Sequence, residues 1–400
     1  MQKITVTEPA FVTTFQCSGT LCRDHCCKSW NIYLDKSTVN KYISSKDDYI
    51  KKIAKENIIL LKKDITNWGI IKLAGDTRHC PYLTEDSLCQ VQKTLGAEAL
   101  STTCKTFPRS ERIYKNDVRK ALNLSCPEVA SLVLTDPNAM VLNESSKIVP
   151  NAYTAPVFPQ QQKLLNLFCL SLVDQAGSDV DVGLYALIKL TLCVKKFNQI
   201  DNVALAEVEQ IYHAIMTQMQ LGEMREELSK FSADNNVKVN LVLLLQDYFR
   251  SLPVSRANGV LNYYIQCLLR TLTQEENHSV GEGVAKLEAT WQRIYEEQDK
   301  TGFDLKNFIL YKIWENNFPN QKNVDPLRTL YMISVEYYFI KMLIAASAYE
   351  RTYLEKEDAI NIVYSFHSLS QHNPTVHENF HKHIETVRTG DDLSMIHLLT

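Results

Sequence analysis

From about residue 157 onward, apolar side chains recur at every third or fourth position, the spacing of a helix that buries one face. The pattern predicts helices over 160–175, 181–197, 203–219, 236–251, 256–273, 283–297, 303–317, 326–350 and 356–370. The breaks fall where helices end. Pro253 interrupts "SLPVS", and "NNFPNQKNVDP" places Asp325 as an N-cap with Pro326 at the first helical position. No alternating strand pattern and no fixed-period repeat appear in this stretch, which predicts a helical bundle or helical array over residues 151–400.

The first 150 residues are mixed. Residues 35–63 read as one amphipathic, lysine-rich helix, "NWGIIKLAGD" as a short strand pair around Gly75, 90–101 as a helix and 109–124 as a short hairpin. Such short elements suit a domain held together by a metal or cluster more than by a large core. The expected fold is mainly α: a small cysteine-rich, metal- or cluster-binding domain over 1–150, then an all-helical domain over 151–400.

Composition sharpens the division. Eight of the eleven cysteines lie in the first 126 residues: Cys17, Cys22, Cys26, Cys27, Cys80, Cys89, Cys104 and Cys126. The same stretch holds 20 Lys+Arg against 13 Asp+Glu, a balance of +7, while the remainder holds 23 against 33, a balance of −10. No nucleic-acid-binding motif accompanies the basic charge, so no nucleic-acid partner is expected. No apolar run approaches the roughly 18 residues of a membrane span, and no basic-then-apolar leader opens the chain. The expectation is a cytoplasmic protein with reduced thiols; peripheral membrane attachment and homo-oligomerisation are left open.

Within "CSGTLCRDHCCKSW", residues 17–30, four thiols occupy eleven positions. Disulfides need an oxidising compartment to which nothing sends this chain, and adjacent Cys26 and Cys27 make a poor pairing set. Structural zinc fits the Cys17–Cys22 and Cys22–Cys26 spacings loosely, but no C-x-x-C occurs. An iron–sulfur cluster tolerates the wide spacing of Cys80, Cys89, Cys104 and Cys126. Metal binding is expected on any of these spacings, and zinc and iron–sulfur stay open on the residues alone. Adjacent Cys26 and Cys27 should diverge, so at least one ligand is expected from the downstream cysteines. Lys105, Arg109, Arg112, Lys115, Arg119 and Lys120 either tune such a site or form a solvated basic face. Cys169, Cys193 and Cys267 sit in apolar helical runs and are expected to pack as small hydrophobes.

The ordered motif set is recognisable. F-x-C-x4-C-x3-C-C-x2-W-x-I-x2-D at 15–35, "CPYLTEDSLCQVQKTLG" at 80–96, "CKTFPR" at 104–109 and "LSCPEVA" at 124–130 together resemble the flagellin lysine-N-methylase family of the FliB type. The first two blocks and the F-P-R also resemble small cysteine-cluster proteins described as iron- or zinc-chelating. The resemblance covers residues 15–130; the helical remainder is similar in length and character. It implies methylation of flagellin lysines with S-adenosylmethionine as donor, a cysteine-bound iron–sulfur cluster (4Fe–4S) needed for that transfer, and action in the cytosol before flagellin is exported. The contrasting expectation is a non-enzymatic metal-handling protein whose helices dock a partner.

The pattern departs from other methylases. "SVGEGVAKL" at 279–287 follows no strand, "ENHS" at 276–279 lacks a SET-like context, and Cys22-x3-Cys26 followed at once by Cys27 misplaces the third ligand of the usual radical-S-adenosylmethionine motif. Six of ten histidines lie in the last 34 residues: His367, His372, His377, His381, His383 and His397. His377 and His381 share a helix face at i, i+4 and could ligate a metal, although surface histidines on a polar helix are the plainer reading. Glu336 and Asp247, acids within apolar helices, could accept a proton from a lysine, or could be paired or capped acids at the edge of the core.

Overall fold

The computed structural model describes residues 1–28, 32–75, 78–150, 153–253, 255–273, 279–351, 353–371, 374–386 and 392–400. Trp30, His372 and residues 276–278 of the ENHS stretch fall outside them.

The helical half follows its periodicity. Helices run Gln160–Ala176, Val180–Val194, Asn202–Gln220, Asn235–Ser251, Arg256–Thr273, Val280–Glu296, Leu305–Asn316, Pro326–Arg351 and Lys356–Ser370, with shorter ones at Glu223–Leu228 and Pro374–Glu385. Caps fix their starts. The side chain of Asp201 accepts from Val203 and Ala204 N–H, Asp304 accepts from Lys306 N–H, and Ser279 forms a capping box with Glu282. "SVGEGVAKL" is therefore a helix start.

Pro326–Arg351 is the axis of this half. Every residue from Thr329 to Ala348 is buried, against the helices Val180–Val194, Arg256–Thr273, Val280–Glu296 and Lys356–Ser370 and the turns at 392–398. It is long and apolar enough to cross a membrane, yet protein covers it on all sides, as expected of a central core helix.

The N-terminal half contains two sheets. Strands β1 (Gln2–Pro9), β5 (Arg109–Ile113), β6 (Asp117–Leu122) and β7 (Leu142–Val149) form one, in the order β5-β6-β1-β7; β2 (Tyr33–Leu34), β3 (Ile58–Leu60) and β4 (Gly69–Ile71) form the other, in the order β2-β4-β3. The β5–β6 hairpin is the one expected over 109–124. β1 runs parallel to β6, with Val6 opposite Val118, and antiparallel to β7, with Lys3 opposite Ile148. The sequence pattern predicts neither β1 nor β7. β7, "LNESSKIV", is polar and exposed along most of its length, so it carries little hydrophobic signal.

Three expectations for the first half are corrected. Residues 35–63 form two helices, Lys36–Ile43 and Asp48–Asn57, followed by β3, because Asp47 caps a second start by accepting from Ile50 N–H. β4 is the centre of a three-stranded sheet, and Gly75, at φ 67°, makes a separate turn that brings Ala74 opposite His79. The helix expected over 90–101 stops at Leu95, because Gly96 takes φ 82° before a short 3-10 turn.

Packing divides the chain differently from composition. The main core joins the helical half to Phe11, Phe15, Leu122, Leu124 and the helix Pro127–Thr135. A satellite core, Ile32 to Ala99, gathers Leu34, Val39, Tyr42, Ile50, Ile71, Cys80 and Tyr82 with flanking Cys27, Cys89 and Cys104. Arg119, expected at a cluster or in solvent, is buried: its guanidinium lies 3.7 Å over the Trp314 ring and donates to Asn166 Oδ1 at 2.6 Å and to Asn317. With Trp314 Nε1 donating to Lys120 O at 2.9 Å, it fastens the four-stranded sheet to Leu305–Asn316.

Candidate functional site: converging thiols

The eight N-terminal cysteines gather into two overlapping sets. Cys27, Cys80, Cys89 and Cys104 line the satellite core and lie within electrostatic reach of one another. Cys17, Cys22, Cys26 and Cys126 form the second set, and Cys26 also acts on the thiols of the first. Segments 17–28 and 79–89 are joined directly: Cys80 N–H donates to Cys27 O at 2.7 Å, and Lys28 bridges His79.

Local structure places the sulfurs beside free N–H groups. Cys89 and Cys126 are the N-cap residues of Gln90–Leu95 and Pro127–Thr135, and Cys104 lies in the first turn of Thr102–Thr106, where its N–H donates to Ser101 Oγ at 3.2 Å. Backbone N–H groups of Val91 and Gln92 favour the Cys89 thiolate, those of Glu128 and Val129 the Cys126 thiolate, and that of Tyr82 the Cys80 thiolate. Burial wins nonetheless. It pushes Cys80 and Cys126 up to about 12 and Cys104 to about 11, with neighbouring thiols adding to the shift. A bound cation would reverse that balance, since metal ligation deprotonates thiols outright.

Cys26 is the exception. Its thiol and that of Cys27 do not diverge as expected; Cys27 hydrogen-bonds to Cys26, and that bond, helped by the Arg256 guanidinium, lowers the Cys26 thiol while Cys27 is driven up. Cys26 is also exposed, as is Cys17.

Among the described residues no three donor side chains already stand at metal-ligating separations. The donor set itself fits a soft metal or cluster: thiols only, four of them facing one small core, with N–H donors on the sulfurs.

Arg256 is the residue that sequence reading missed. It opens the helix Arg256–Thr273, donates to Asp24 O at 2.6 Å and Ser125 O at 3.4 Å, and pairs with the Asp24 carboxylate at 3.4 Å. Arg23 pairs with Glu357 beside it, so the cysteine loop docks on two helices of the main core. No motif marks Arg256; only the fold brings it to the thiols. Burial raises the Asp24 carboxyl and Arg256 opposes that shift. Replacing Arg256 with alanine should therefore destabilise the protein by about 1–3 kcal/mol and raise the Cys26 pKa. Urea melts and pH-dependent thiol alkylation check the two effects.

The other sequence candidates lie elsewhere. Cys169, Cys193 and Cys267 are buried in the main core, as expected. Asp247 is exposed. Glu336 is at the centre of the core and not at its edge, 2.7 Å from Lys312. His377 and His381 share a face, with ring centroids 4.0 Å apart, but they are half-buried and not surface residues. Burial, His377, Lys312 and Arg328 together hold His381 down to about 3 and keep its ring unprotonated. Its folded pKa lies below the ordinary 6.5. The unfolded chain thus takes up a proton that the native one refuses, and stability is present above pH 6.5 and falls as the pH drops through it. Between pH 6.5 and 4 the loss should be about 1–2 kcal/mol after allowance for partial solvent screening, and His381→Phe should flatten that slope in urea melts.

Residues 166–398 match the family model described as the FliB lysine N-methylase C-terminal domain. The chain is 59% identical over 402 residues to the "Lysine-N-methylase" of Salmonella typhimurium and 58% identical over 401 residues to that of Salmonella choleraesuis, covering 100% of each chain in both comparisons. It is also 59% identical over 168 residues to the "Flagellar biosynthetic protein FliV" of Salmonella muenchen, across 42% of this chain and 97% of that protein. No solved structure matches. Relatives aligned along the whole length extend the likeness seen over 15–130 into the helical half, and the chain belongs to the FliB lysine N-methylase family.

Proposed function

We propose that the protein methylates lysine side chains of flagellin in the cytosol, with S-adenosylmethionine as donor, and that Cys27, Cys80, Cys89 and Cys104 hold a 4Fe–4S cluster. Lysine methylation comes with family membership, which decides against a purely metal-handling protein. The observation that carries the cluster reading is the gathering of four thiols around one small core with backbone N–H groups aimed at sulfur. A four-thiolate cluster supplies one-electron chemistry at a potential that such N–H donors adjust. The chain's own part is to shield it. Ile32, Leu34, Val39 and Ile71 exclude water, and Tyr42 and Tyr82, stacked edge-on at 5.5 Å, pack among the thiols. Cys17, Cys22, Cys26 and Cys126 form a second donor set at the seam with the main core, where Arg256 favours the anionic sulfur of Cys26.

Anaerobic purification with iron and sulfide analysis, visible absorbance and transfer of labelled methyl groups to unmodified flagellin tests this. Cys27→Ser, Cys89→Ser and Cys104→Ser should each remove the iron and abolish methyl transfer. Zinc in place of iron would make the site structural, and methyl transfer surviving loss of iron would remove the cluster from the reaction.

A further inference from the structure

Tyr82 is fastened to two of the thiols through its backbone. Residues 80–83 make a tight turn, in which Leu83 N–H donates to Cys80 O at 2.9 Å and the Tyr82 N–H faces the Cys80 sulfur. The Tyr82 carbonyl accepts from Gln90 N–H at 2.8 Å, one residue past Cys89, and Leu83 bridges to Cys89 itself. The ring then has little freedom. It lies edge-on to Tyr42, centroids 5.5 Å apart, inside the satellite core that Cys27, Cys89 and Cys104 flank.

The hydroxyl at the end of that ring has no partner. Tyr82 is 2% exposed, and its Oη is buried without a hydrogen bond. Other buried polar side chains of the same region are paired: Thr38 Oγ1 donates to Asp35 at 2.6 Å, and Ser101 Oγ accepts from Cys104 N–H at 3.2 Å. A dry hydroxyl without an acceptor is costly, and phenylalanine would fill the same space without that cost. The Cys80 and Cys89 sulfurs lie within electrostatic reach of the Tyr82 hydroxyl. As thiols they are weak acceptors. Deprotonated by a bound metal, they become anionic and accept strongly.

We propose that Tyr82 is the side-chain donor of the metal site: once a bound metal or cluster deprotonates Cys80 and Cys89, the Tyr82 hydroxyl donates to a thiolate sulfur of that pair and shifts the reduction equilibrium of a cluster held there. The proposal rests on the reading of these thiols as a metal site. The hydroxyl keeps its proton, and the hydrogen bond is the only bond formed at it. The electron comes from an external one-electron reductant and enters the cluster. A donor on sulfur offsets negative charge, so it favours the reduced, more negative form. Backbone N–H groups reach the same sulfurs, but they come with the fold and with any sequence that keeps it. The Tyr82 oxygen can be removed without touching a ligand.

The test compares full-length wild type with Tyr82→Phe and with Tyr49→Phe, the latter at an exposed position of the helix Asp48–Asn57. In anaerobic reductive titrations of protein reconstituted with iron and sulfide, Tyr82→Phe should shift the one-electron equilibrium about tenfold toward the oxidised form, a fall of about 59 mV, at unchanged iron and sulfide content. A second arm needs no iron. Cadmium titrated into the metal-free protein, followed by thiolate-to-metal charge-transfer absorbance, should bind Tyr82→Phe about tenfold more weakly. In urea, Tyr82→Phe should unfold at the same or a higher concentration than wild type when metal-free, because the stranded hydroxyl is gone, and at a lower one when cadmium-loaded. Tyr49→Phe should match wild type in every arm. A potential equal to that of wild type, equal cadmium affinity, or a urea midpoint lowered by the same amount with and without cadmium would each overturn the proposal. Wild type that takes up cadmium but no iron would defeat the iron–sulfur reading alone, because the cadmium and urea arms decide the role of the hydroxyl without it. Uptake of neither would overturn both.

Discussion

Replacing Cys80 with serine should abolish the proposed metal binding and release residues 32–106 while the helical half stays folded. Cys80 is the most enclosed of the four thiols facing the satellite core, 4% exposed, and its own backbone is tied to Cys27. That core is small, twelve buried residues from Ile32 to Ala99, too few to hold a sheet of two- and three-residue strands unaided. A thiolate-bound structural metal contributes on the order of 10 kcal/mol of folding free energy, and a serine oxygen is a poor substitute for soft sulfur. Hydrogen exchange should accelerate throughout 32–106 and remain slow in Pro326–Arg351. The comparison set is Cys169→Ala, Cys193→Ala and Cys267→Ala, which should cost about 1 kcal/mol each and retain full metal content. Undiminished metal in Cys80→Ser, or protection unchanged over 32–106, would refute the arrangement.

Glu336→Ala should be the most damaging single substitution in the helical half, at about 3–5 kcal/mol. Lys312 and Glu336 pair at 2.7 Å between Leu305–Asn316 and Pro326–Arg351, each side chain only 2% exposed, and Gln371 donates to the same carboxylate. Burial raises the Glu336 carboxyl, and Lys312 works against it. Removing the acid strands an ammonium in the core, whereas Lys312→Met combined with Glu336→Leu removes both charges and should fall within about 1–2 kcal/mol of wild type. Methyl transfer per folded molecule should be unchanged in the double variant. Loss of transfer at full stability would return Glu336 to the role of proton acceptor. Thermal melts and flagellin assays on the same preparations separate the two.

The helical half was legible because most of its helices bury one stripe and its breaks carry proline or capping acids, so period and punctuation agree. The N-terminal half was legible in its cysteines and much less in its topology. β1 and β7 pair across more than a hundred residues, and β7 is an exposed polar strand that leaves no periodic trace. Density of cysteine marked the site, but spacing could not show that Cys27 faces Cys80, Cys89 and Cys104 while Cys26 bridges both sets. Arg256 was invisible for the same reason. It is an ordinary helix residue whose meaning comes from distant neighbours.

The central position of β1 has a consequence for synthesis. Its hydrogen-bonding partners on both sides, β6 and β7, end at Leu122 and Val149. At about 5–20 residues per second on the ribosome, the roughly 140 residues between Pro9 and Val149 take about 7–28 s to appear. β1 has two open edges until β6 is complete at Leu122 and one until β7 is complete at Val149, and the cysteines, which emerge before β7, have no finished main core to dock on. Strand closure, and the metal loading proposed above, would thus compete with aggregation of the nascent chain. Slower elongation through residues 30–110 should lower the yield of metal-loaded protein even though the finished sequence is unchanged.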